Sequence, residues 1–133
     1  MIRRAYSAFA ARDLVALREL AVPEIEIRTV TGMLAHRDEP YRGYAGIEQY
    51  LRDVAEVWGE LELVPAEFHD LTGGRVLVLG RVRARRGSTL IDSASAWLWE
   101  VHDDLIVSAQ VFGDPETAMA LLDGAEQEER GDA

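Results

Sequence analysis

The fold of this 133-residue chain is decided by residues 75–112, whose sequence is RVLVLGRVRARRGSTLIDSASAWLWEVHDDLIVSAQVF. Apolar residues alternate with polar or small ones along much of this stretch, which is the pattern of strands with two different faces. Arg86-Gly87-Ser88 and His102-Asp103-Asp104 interrupt the alternation with residues that are typical of turns. The stretch therefore predicts three consecutive antiparallel strands, Arg75–Arg85, Leu90–Val101 and Leu105–Phe112.

Three helices are predicted upstream of this meander. In each of them apolar residues recur at three- and four-residue spacing, as they do on an amphipathic helix. The segments are residues 2–11, residues 14–20 with Asp13 as the N-cap, and residues 47–58 after Gly43. The third segment has the longest apolar face and is expected to lie flat on a sheet.

Two further strands are expected before the meander. Polar and apolar residues alternate over residues 24–30 and again around Leu61 and Leu63, where Pro65 is expected to bend the strand or confine it to an edge. Residues 31–42 between the first strand and the third helix are predicted to be an irregular connection.

The order of the elements predicts one α+β domain over residues 1–122. A short C-terminal helix is expected from Asp114 to Leu122, and the acidic residues 123–133 are expected to form a flexible tail. Helices and strands that follow one another in separate runs favour a layer of helices on one face of a sheet. The expected architecture is a curved, mixed or antiparallel sheet wrapped on three N-terminal helices.

Composition argues against several classes of function. A net charge of −10 argues against nucleic-acid binding, which needs a clustered basic surface. No apolar run approaches the ~20 residues that span a membrane, and there is no signal-peptide pattern, so a cytoplasmic location is expected. The chain has no cysteine and no lysine, which removes thiolate and Schiff-base chemistry. Without a ligand-like histidine spacing or a phosphate-cradling glycine loop, no metal or cofactor is expected.

Three short motifs carry a family resemblance. They are YSAFAARDL at residues 6–14, EPYRGYAGI at residues 39–47 and VFGD at residues 111–114. With the elements between them, the chain resembles the nuclear-transport-factor-2-like superfamily, in particular its SnoaL-like and ketosteroid-isomerase-like branch. The resemblance implies a conical fold with a deep apolar pocket and frequent dimerisation through the outer face of the sheet.

The resemblance does not carry catalytic residues over to this chain. It places Ala5, Thr29 and Ser95 where ketosteroid isomerases have their catalytic tyrosine, carboxylate base and protonated aspartate. All three functional groups are replaced, so isomerisation by that mechanism is not expected. No Asp-Arg-Asp arrangement of the related epoxide hydrolases matches either.

The resemblance implies which residues line the pocket. It places Ser95 inside, strand alternation adds residues of the last two strands, and a simple register across the first turn adds Arg81 and Arg83. Two aromatic residues near the long helix are expected to close the mouth. The predicted pocket residues are Tyr41, Trp58, Arg81, Ser95, Trp97, Gln110 and Phe112.

The polar members of this set have two interpretations each. Arg81 and Arg83 each either bind a planar anion inside the pocket or lie at a solvated strand end, and the second interpretation is favoured for Arg83. Gln110 either polarises a carbonyl or satisfies a backbone group, and Ser95 is interpreted as a space-filling hydroxyl. The aromatic residues also fit plain core packing. Outside the set, His36 beside Asp38 either supplies a general base or lies in a surface loop.

Two functions follow from the sequence. One is an enzyme that isomerises, cyclises or hydrates a small apolar cyclic or polyketide-like compound, and the other is a non-catalytic ligand-binding or dimeric accessory domain. The expected partner in both is a small apolar or aromatic molecule. A homodimer is expected through the opposite, outer face of the sheet, predicted to carry Val78, Val82, Ala84, Ala94, Ala96, Leu98, Val107, Ala109 and Val111.

Overall fold

Four α-helices, one short 3-10 turn (Thr72–Gly74) and six strands make up the part of the chain, residues 2–112, that the computed structural model describes. The predicted helix after Asp114 and the predicted tail lie outside the described residues. The helices are α1 (Ile2–Ala10), α2 (Leu14–Glu19), α3 (Val30–Leu34) and α4 (Gly43–Val57). The strands are β1 (Ala21–Arg28), β2 (Tyr41–Arg42), β3 (Glu60–Leu71), β4 (Arg75–Arg86), β5 (Thr89–His102) and β6 (Leu105–Phe112).

All six strands form one mixed sheet in the order β2-β1-β6-β5-β4-β3. The contact between β1 and β6 is parallel, and the other four contacts are antiparallel. The face that carries Val78 and Trp97 packs on Tyr6 of α1 and Ile47 of α4, and we call it the inner face. The α+β class and the mixed sheet on N-terminal helices are confirmed.

A close approach of β3 to β4 bends the sheet in the middle of the two strands. Pro65 pairs with Gly80, but the next pair is Glu67 with Leu79, so Ala66 is an extra residue on β3. A bulge of this kind bends its strand and increases the local twist. Glycine permits the approach, because a Cβ atom at Gly80 would lie 2.2 Å from the carbonyl oxygen of Val64.

The connection between β1 and α4 is more regular than predicted. Thr29 was expected to continue the first strand, but its hydroxyl accepts a hydrogen bond from the backbone N–H of Gly32 at 3.0 Å and caps α3. The strand itself begins at Ala21 and ends at Arg28, instead of running over residues 24–30. The prediction of an irregular connection over residues 31–42 is therefore wrong, since it contains most of α3 and all of β2.

The predicted register of the β4–β5 hairpin is wrong by one residue. A three-residue turn was expected, but Arg86 pairs with Thr89, and only Gly87 and Ser88 form the loop. Since neighbouring residues of a strand face opposite ways, one residue fewer in the turn reverses the face of β4 relative to β5. Val78 therefore lies opposite Trp97 on the inner face, and Arg81 lies on the outer face.

The faces predicted for β6 are also reversed. Asp103 and Asp104 form a two-residue turn with positive φ angles, and His102 pairs with Leu105. The register then shifts, because Val101 pairs with Ile106 but Glu100 pairs with Ser108. Val107 is the extra residue of this bulge, and it moves the odd-numbered residues beyond it to the inner face. Ala109 and Val111 thus face inwards, whereas Gln110 and Phe112 face outwards.

The outer face consequently differs from the predicted one. Ala94, Ala96 and Leu98 lie on it as expected, but Val78, Val82, Ala84, Ala109 and Val111 belong to the inner face by the observed pairing. The outer apolar cluster consists of Leu71, Leu77, Leu79, Ala96, Leu98 and Phe112.

Within residues 2–112, no helix is both long enough and apolar enough to cross a membrane.

Candidate functional site

A cavity of about 70 Å³ lies between the helices and the inner face of the sheet. Aliphatic residues of α1, α2, β1, α4 and β6 form most of its wall, and aromatic residues close it. We call it the central cavity. Its aromatic lining residues are Tyr6, Phe9, Tyr50, Trp97 and Trp99.

A second cavity of about 380 Å³, which we call the mouth cavity, adjoins the central one. It lies between α3, the end of α4 and strands β3, β4 and β5. It is more polar, because it adds three hydroxyl groups and one guanidinium group to the lining, those of Thr31, Ser93, Ser95 and Arg86. Both cavities are lined by Thr29, Tyr50, Leu63, Trp97 and Val111.

Tyr6 and Trp97, which line the central cavity, carry hydrogen-bond donors for which residues 2–112 supply no acceptor. The Tyr6 hydroxyl accepts from Trp99 Nε1 at 3.2 Å, which leaves its own proton for another group. The indole nitrogen of Trp97 is buried and has no hydrogen-bond partner in the described part of the chain. An unpaired buried donor costs about 1–3 kcal/mol, so these groups favour a bound acceptor.

The orientation of Tyr6 is fixed by aromatic neighbours on three sides. Its ring makes edge-to-face contacts with Trp97, Trp99 and Phe68, at centroid distances of 5.5, 5.4 and 6.5 Å. Burial raises the pKa of Tyr6 well above that of an exposed tyrosine, and it does the same for Tyr50. Both hydroxyls therefore remain protonated at neutral pH and act as neutral donors.

A buried carboxylate, which sequence reasoning missed, fixes the connection that covers the mouth cavity. Asp53 of α4 is 2% exposed and accepts two hydrogen bonds from Arg37. It also accepts from the Tyr41 hydroxyl at 2.5 Å and from Gln49 Nε2 at 2.9 Å. These bonds, with that from Arg37 the largest cause, lower the pKa of Asp53 to about 2. Since every oxygen is saturated with donors, Asp53 is suited to holding structure rather than to accepting a proton.

Three of the seven predicted pocket residues line the two cavities. Trp97 lines both, and Trp58 and Ser95 line the mouth cavity. The indole N–H of Trp58 donates to Thr31 Oγ1 at 3.0 Å, which ties the end of α4 to α3. Ser95 is 5% exposed, and its hydroxyl makes a long contact of 3.4 Å with the carbonyl oxygen of Phe112.

Three other predicted residues lie on the outer face, for the register reasons given above. Arg81 is exposed and forms an ion pair with Asp92, with an N–O distance of 2.8 Å. Gln110 is exposed and lines a separate pocket of about 260 Å³ that it shares with Tyr41, and Phe112 packs in the outer apolar cluster. The predicted placement of Arg81, Gln110 and Phe112 in the cavity under the inner face is therefore wrong.

Tyr41 lies near the pocket but beneath α3. It is 5% exposed, its hydroxyl binds Asp53, and its ring lines a shallow pocket of about 260 Å³ beside Met33 and Arg37. It lines neither the central nor the mouth cavity. His36 is exposed after α3 and lines no cavity named here, which fits the surface-loop interpretation.

The charge of the site is unusual for an acid–base enzyme. Within the described part of the chain, neither cavity is lined by an aspartate, a glutamate or a histidine, and Arg86 is the charged lining residue. The described residues also contain no group of three histidine or carboxylate side chains that could hold a metal ion. The arrangement offers hydrogen-bond donors and apolar walls to a ligand.

A family model matches residues 2–109, which include every element from α1 to most of β6, and its description is "SnoaL-like domain". The chain belongs to the SnoaL-like domain family. The resemblance to the SnoaL-like branch of the nuclear-transport-factor-2-like superfamily is thus confirmed. A search of curated proteins found no match.

Solved structures with the same fold include other members of the superfamily. An NTF2-like protein of unknown function from Burkholderia pseudomallei has 21% identity and a TM-score of 0.75, covering 90% of this chain and 92% of its own. TerC, crystallised with polyporic acid, has 25% identity and a TM-score of 0.75, and the alignment covers 92% of this chain and 95% of TerC. IdmH from Streptomyces antibioticus, described as a candidate polyketide cyclase, has 22% identity and a TM-score of 0.67. The alignment covers 91% of this chain and 94% of IdmH.

Proposed function

We propose that this SnoaL-like protein binds one small, largely apolar cyclic or polyketide-like molecule in the central and mouth cavities. The observation that carries the proposal is the unpaired, buried indole N–H of Trp97 in a wall that is otherwise mostly apolar. Apolar pockets with a few convergent polar groups are typical of small-molecule sites. TerC, the neighbour with 25% identity, was crystallised with polyporic acid, which supports a ligand of this general kind.

An acceptor oxygen on the ligand would bind at the donors of the central cavity. Trp99 donates to the Tyr6 hydroxyl, which strengthens that hydroxyl as a donor, and Trp97 supplies the second N–H. A neutral donor at the ligand oxygen stabilises negative charge that develops on a carbonyl. A cyclisation, isomerisation or hydration that passes through an enol or enolate would gain from this arrangement.

A non-catalytic ligand-binding domain is the second candidate. It is favoured by the lack of a carboxylate or imidazole among the described lining residues, since general acid–base catalysis usually needs such a group. An experiment separates the two candidates. The protein is incubated with a small-molecule extract of host cells from which this protein has been removed, and the mixture is analysed by mass spectrometry. An enzyme consumes a compound and yields a product of equal mass, or one that differs by a water. A binding protein enriches a compound and returns it unchanged.

All three tryptophans of the chain line one or both cavities, so intrinsic fluorescence reports on binding directly. We expect Tyr6→Phe to weaken binding of 2-acetonaphthone about fivefold, because one neutral hydrogen bond contributes about 1 kcal/mol. Binding of 2-ethylnaphthalene, which has a similar shape and no acceptor oxygen, should change less than twofold. The two affinities are measured by fluorescence titration.

Tyr44→Phe is the matched control for this experiment. It also removes one tyrosine hydroxyl, which donates to the carbonyl oxygen of Ala21 at 3.1 Å, but Tyr44 lines neither cavity. Both probes should bind this variant as they bind the wild-type protein. Equal losses for both probes in Tyr6→Phe would assign Tyr6 to packing alone, and no binding of either probe to the wild-type protein would contradict the proposed pocket.

We also propose a homodimer that forms through the outer face of the sheet. Leu79, Leu98 and Phe112 are partly exposed in the outer apolar cluster, which a second copy would cover. Sedimentation at micromolar concentration should give twice the mass of the chain. Leu98→Arg should give the monomer, whereas Val15→Arg, on α2 and at a site that is 64% exposed, should leave the dimer intact. A wild-type monomer would contradict the proposal.

A cytoplasmic location and the lack of nucleic-acid binding are parts of the same proposal. The net charge of −10 supports the lack of nucleic-acid binding. Fractionation of the cells that produce the protein tests its location. A filter-binding assay with labelled DNA at low salt tests the lack of nucleic-acid binding.

A further inference from the structure

The observed register changes which arginine of β4 faces the ligand cavities. Side chains alternate along a strand, so the pairing of Val82 with Ser93 and of Arg86 with Thr89 puts the even-numbered residues of β4 on the inner face. Arg86 accordingly lines the mouth cavity together with Ser93, at the loop end of the β4–β5 hairpin. The other arginines of the strand carry odd numbers and belong to the outer face.

The outer arginines near this end of β4 already have carboxylate partners. Arg81 lies 2.8 Å from Asp92, Arg83 lies 3.9 Å from the same carboxylate, and Arg85 lies 3.1 Å from Glu60. Arg86 has no ion-pair or hydrogen-bond partner for its side chain among residues 2–112. A guanidinium group without such a partner at the rim of a cavity attracts anions to that cavity.

The surroundings of Arg86 are suited to the polar end of a mainly apolar molecule. The mouth cavity has a volume of about 380 Å³ and contains the hydroxyls of Thr31, Ser93 and Ser95. Its inner end is formed by Leu63 and Trp97, which also line the central cavity. A molecule that inserts its ring system towards Trp97 would leave a polar substituent near the guanidinium group.

We propose that Arg86 binds a carboxylate or a similar planar oxyanion on the ligand, so that the site selects acidic cyclic molecules over their neutral analogues. This inference rests on the proposed ligand-binding function. A guanidinium group offers paired N–H donors that match the two oxygens of a carboxylate, which gives geometric selectivity as well as attraction. The donors at Tyr6 and Trp97 bind the opposite, less polar end.

The experiment compares 2-naphthoate with its neutral methyl ester, using tryptophan fluorescence and titration calorimetry. We expect Arg86→Gln to weaken binding of 2-naphthoate about tenfold, since the variant loses a charge-assisted hydrogen bond to the carboxylate. Binding of the methyl ester should change less than twofold. Added salt should weaken binding of 2-naphthoate to the wild-type protein and leave the ester unaffected.

Arg83→Gln is the matched control, because it makes the same change of charge on the same strand but on the outer face. Its affinity for 2-naphthoate should stay within twofold of the wild-type value. If both variants lose the same affinity, the loss comes from the long-range electrostatic field of the protein, and the inference is overturned. The inference is also overturned if Arg86→Gln binds 2-naphthoate as tightly as the wild-type protein does. Failure of both probes to bind the wild-type protein overturns the ligand pocket itself. Binding of the ester alone overturns only the role of Arg86.

Discussion

An Asp53→Asn variant is expected to be about 3 kcal/mol less stable than the wild-type protein at pH 7, because breaking a buried ion pair leaves groups without partners. Asp53 is 2% exposed and accepts hydrogen bonds from Arg37, Tyr41 and Gln49. An asparagine has one acceptor oxygen, and its NH₂ group would face donors. Urea unfolding followed by tryptophan fluorescence measures the difference.

The pH dependence of this effect has a definite sign. The pKa of Asp53 is lowered from 3.8 to about 2, chiefly by the hydrogen bond from Arg37, so the folded state favours the ionised form. The ionised form contributes about 2 kcal/mol above pH 4, and this contribution is lost as the pH falls towards 2. The difference in stability between the wild-type protein and Asp53→Asn should therefore shrink below pH 4. A difference that stays constant down to pH 2 would contradict this account.

Glu48→Gln provides the control on the same helix. Glu48 forms an exposed i,i+4 pair with Arg52 and a longer contact with Arg18. Exposed pairs contribute about 0.2–1 kcal/mol, so this variant should lie close to the wild-type protein. Equal losses of stability in Glu48→Gln and Asp53→Asn would mean that any loss of negative charge destabilises this helix. Burial of Asp53 would then not explain its contribution to stability.

The long elements of the fold could be predicted because their patterns are local. The strand predicted over Arg75–Arg85 ends one residue later, at Arg86, and the strand Leu105–Phe112 has the predicted bounds. The apolar face predicted for α4 includes Ile47 and Val54, which are both 3% exposed. These features depend on residues three or four positions apart, which a single sequence displays directly.

The faces of the strands could not be predicted, because they depend on single residues in turns and bulges. One residue fewer in the loop after Arg86 moves Arg81 from the pocket to the outer face, and one extra residue, Val107, moves Gln110 and Phe112 there. Neither change alters the alternating pattern within a strand. The sequence therefore predicted arginines on the pocket face of this strand, but it named Arg81 and Arg83 where the structure has Arg86.

The buried network around Asp53 had only a weak signal in the sequence. Asp53 follows Tyr50 by three residues on α4, so a carboxylate beside the apolar face was visible. Its partners Arg37 and Tyr41 come from a connection that was expected to be irregular. Tyr6 was likewise visible only as one of the apolar-face residues of α1, and its pairing with Trp99 spans most of the chain.

Gly80→Ala is expected to cost about 3 kcal/mol of stability, at the upper end of the range for overpacking, because the new methyl group would meet backbone atoms. A Cβ atom there would lie 2.2 Å from the carbonyl oxygen of Val64 and 3.0 Å from Pro65 Cα. No rotamer can relieve a clash with backbone, so β3 must move away from β4. Urea unfolding measures the loss, and a red shift of tryptophan emission would report water at the cavities.

Gly59→Ala is the matched control, since a Cβ atom there would make an ordinary contact of 3.4 Å with the carbonyl oxygen of Arg85. It should change stability by less than 1 kcal/mol in either direction, because alanine also restricts the unfolded chain. The comparison tests the origin of the cavities as well as the stability. Leu63 on β3 lines both cavities, and its position depends on how closely β3 approaches Gly80. If Gly80→Ala keeps wild-type stability and probe affinity, the bend at this pair of strands does not determine the shape of the pocket.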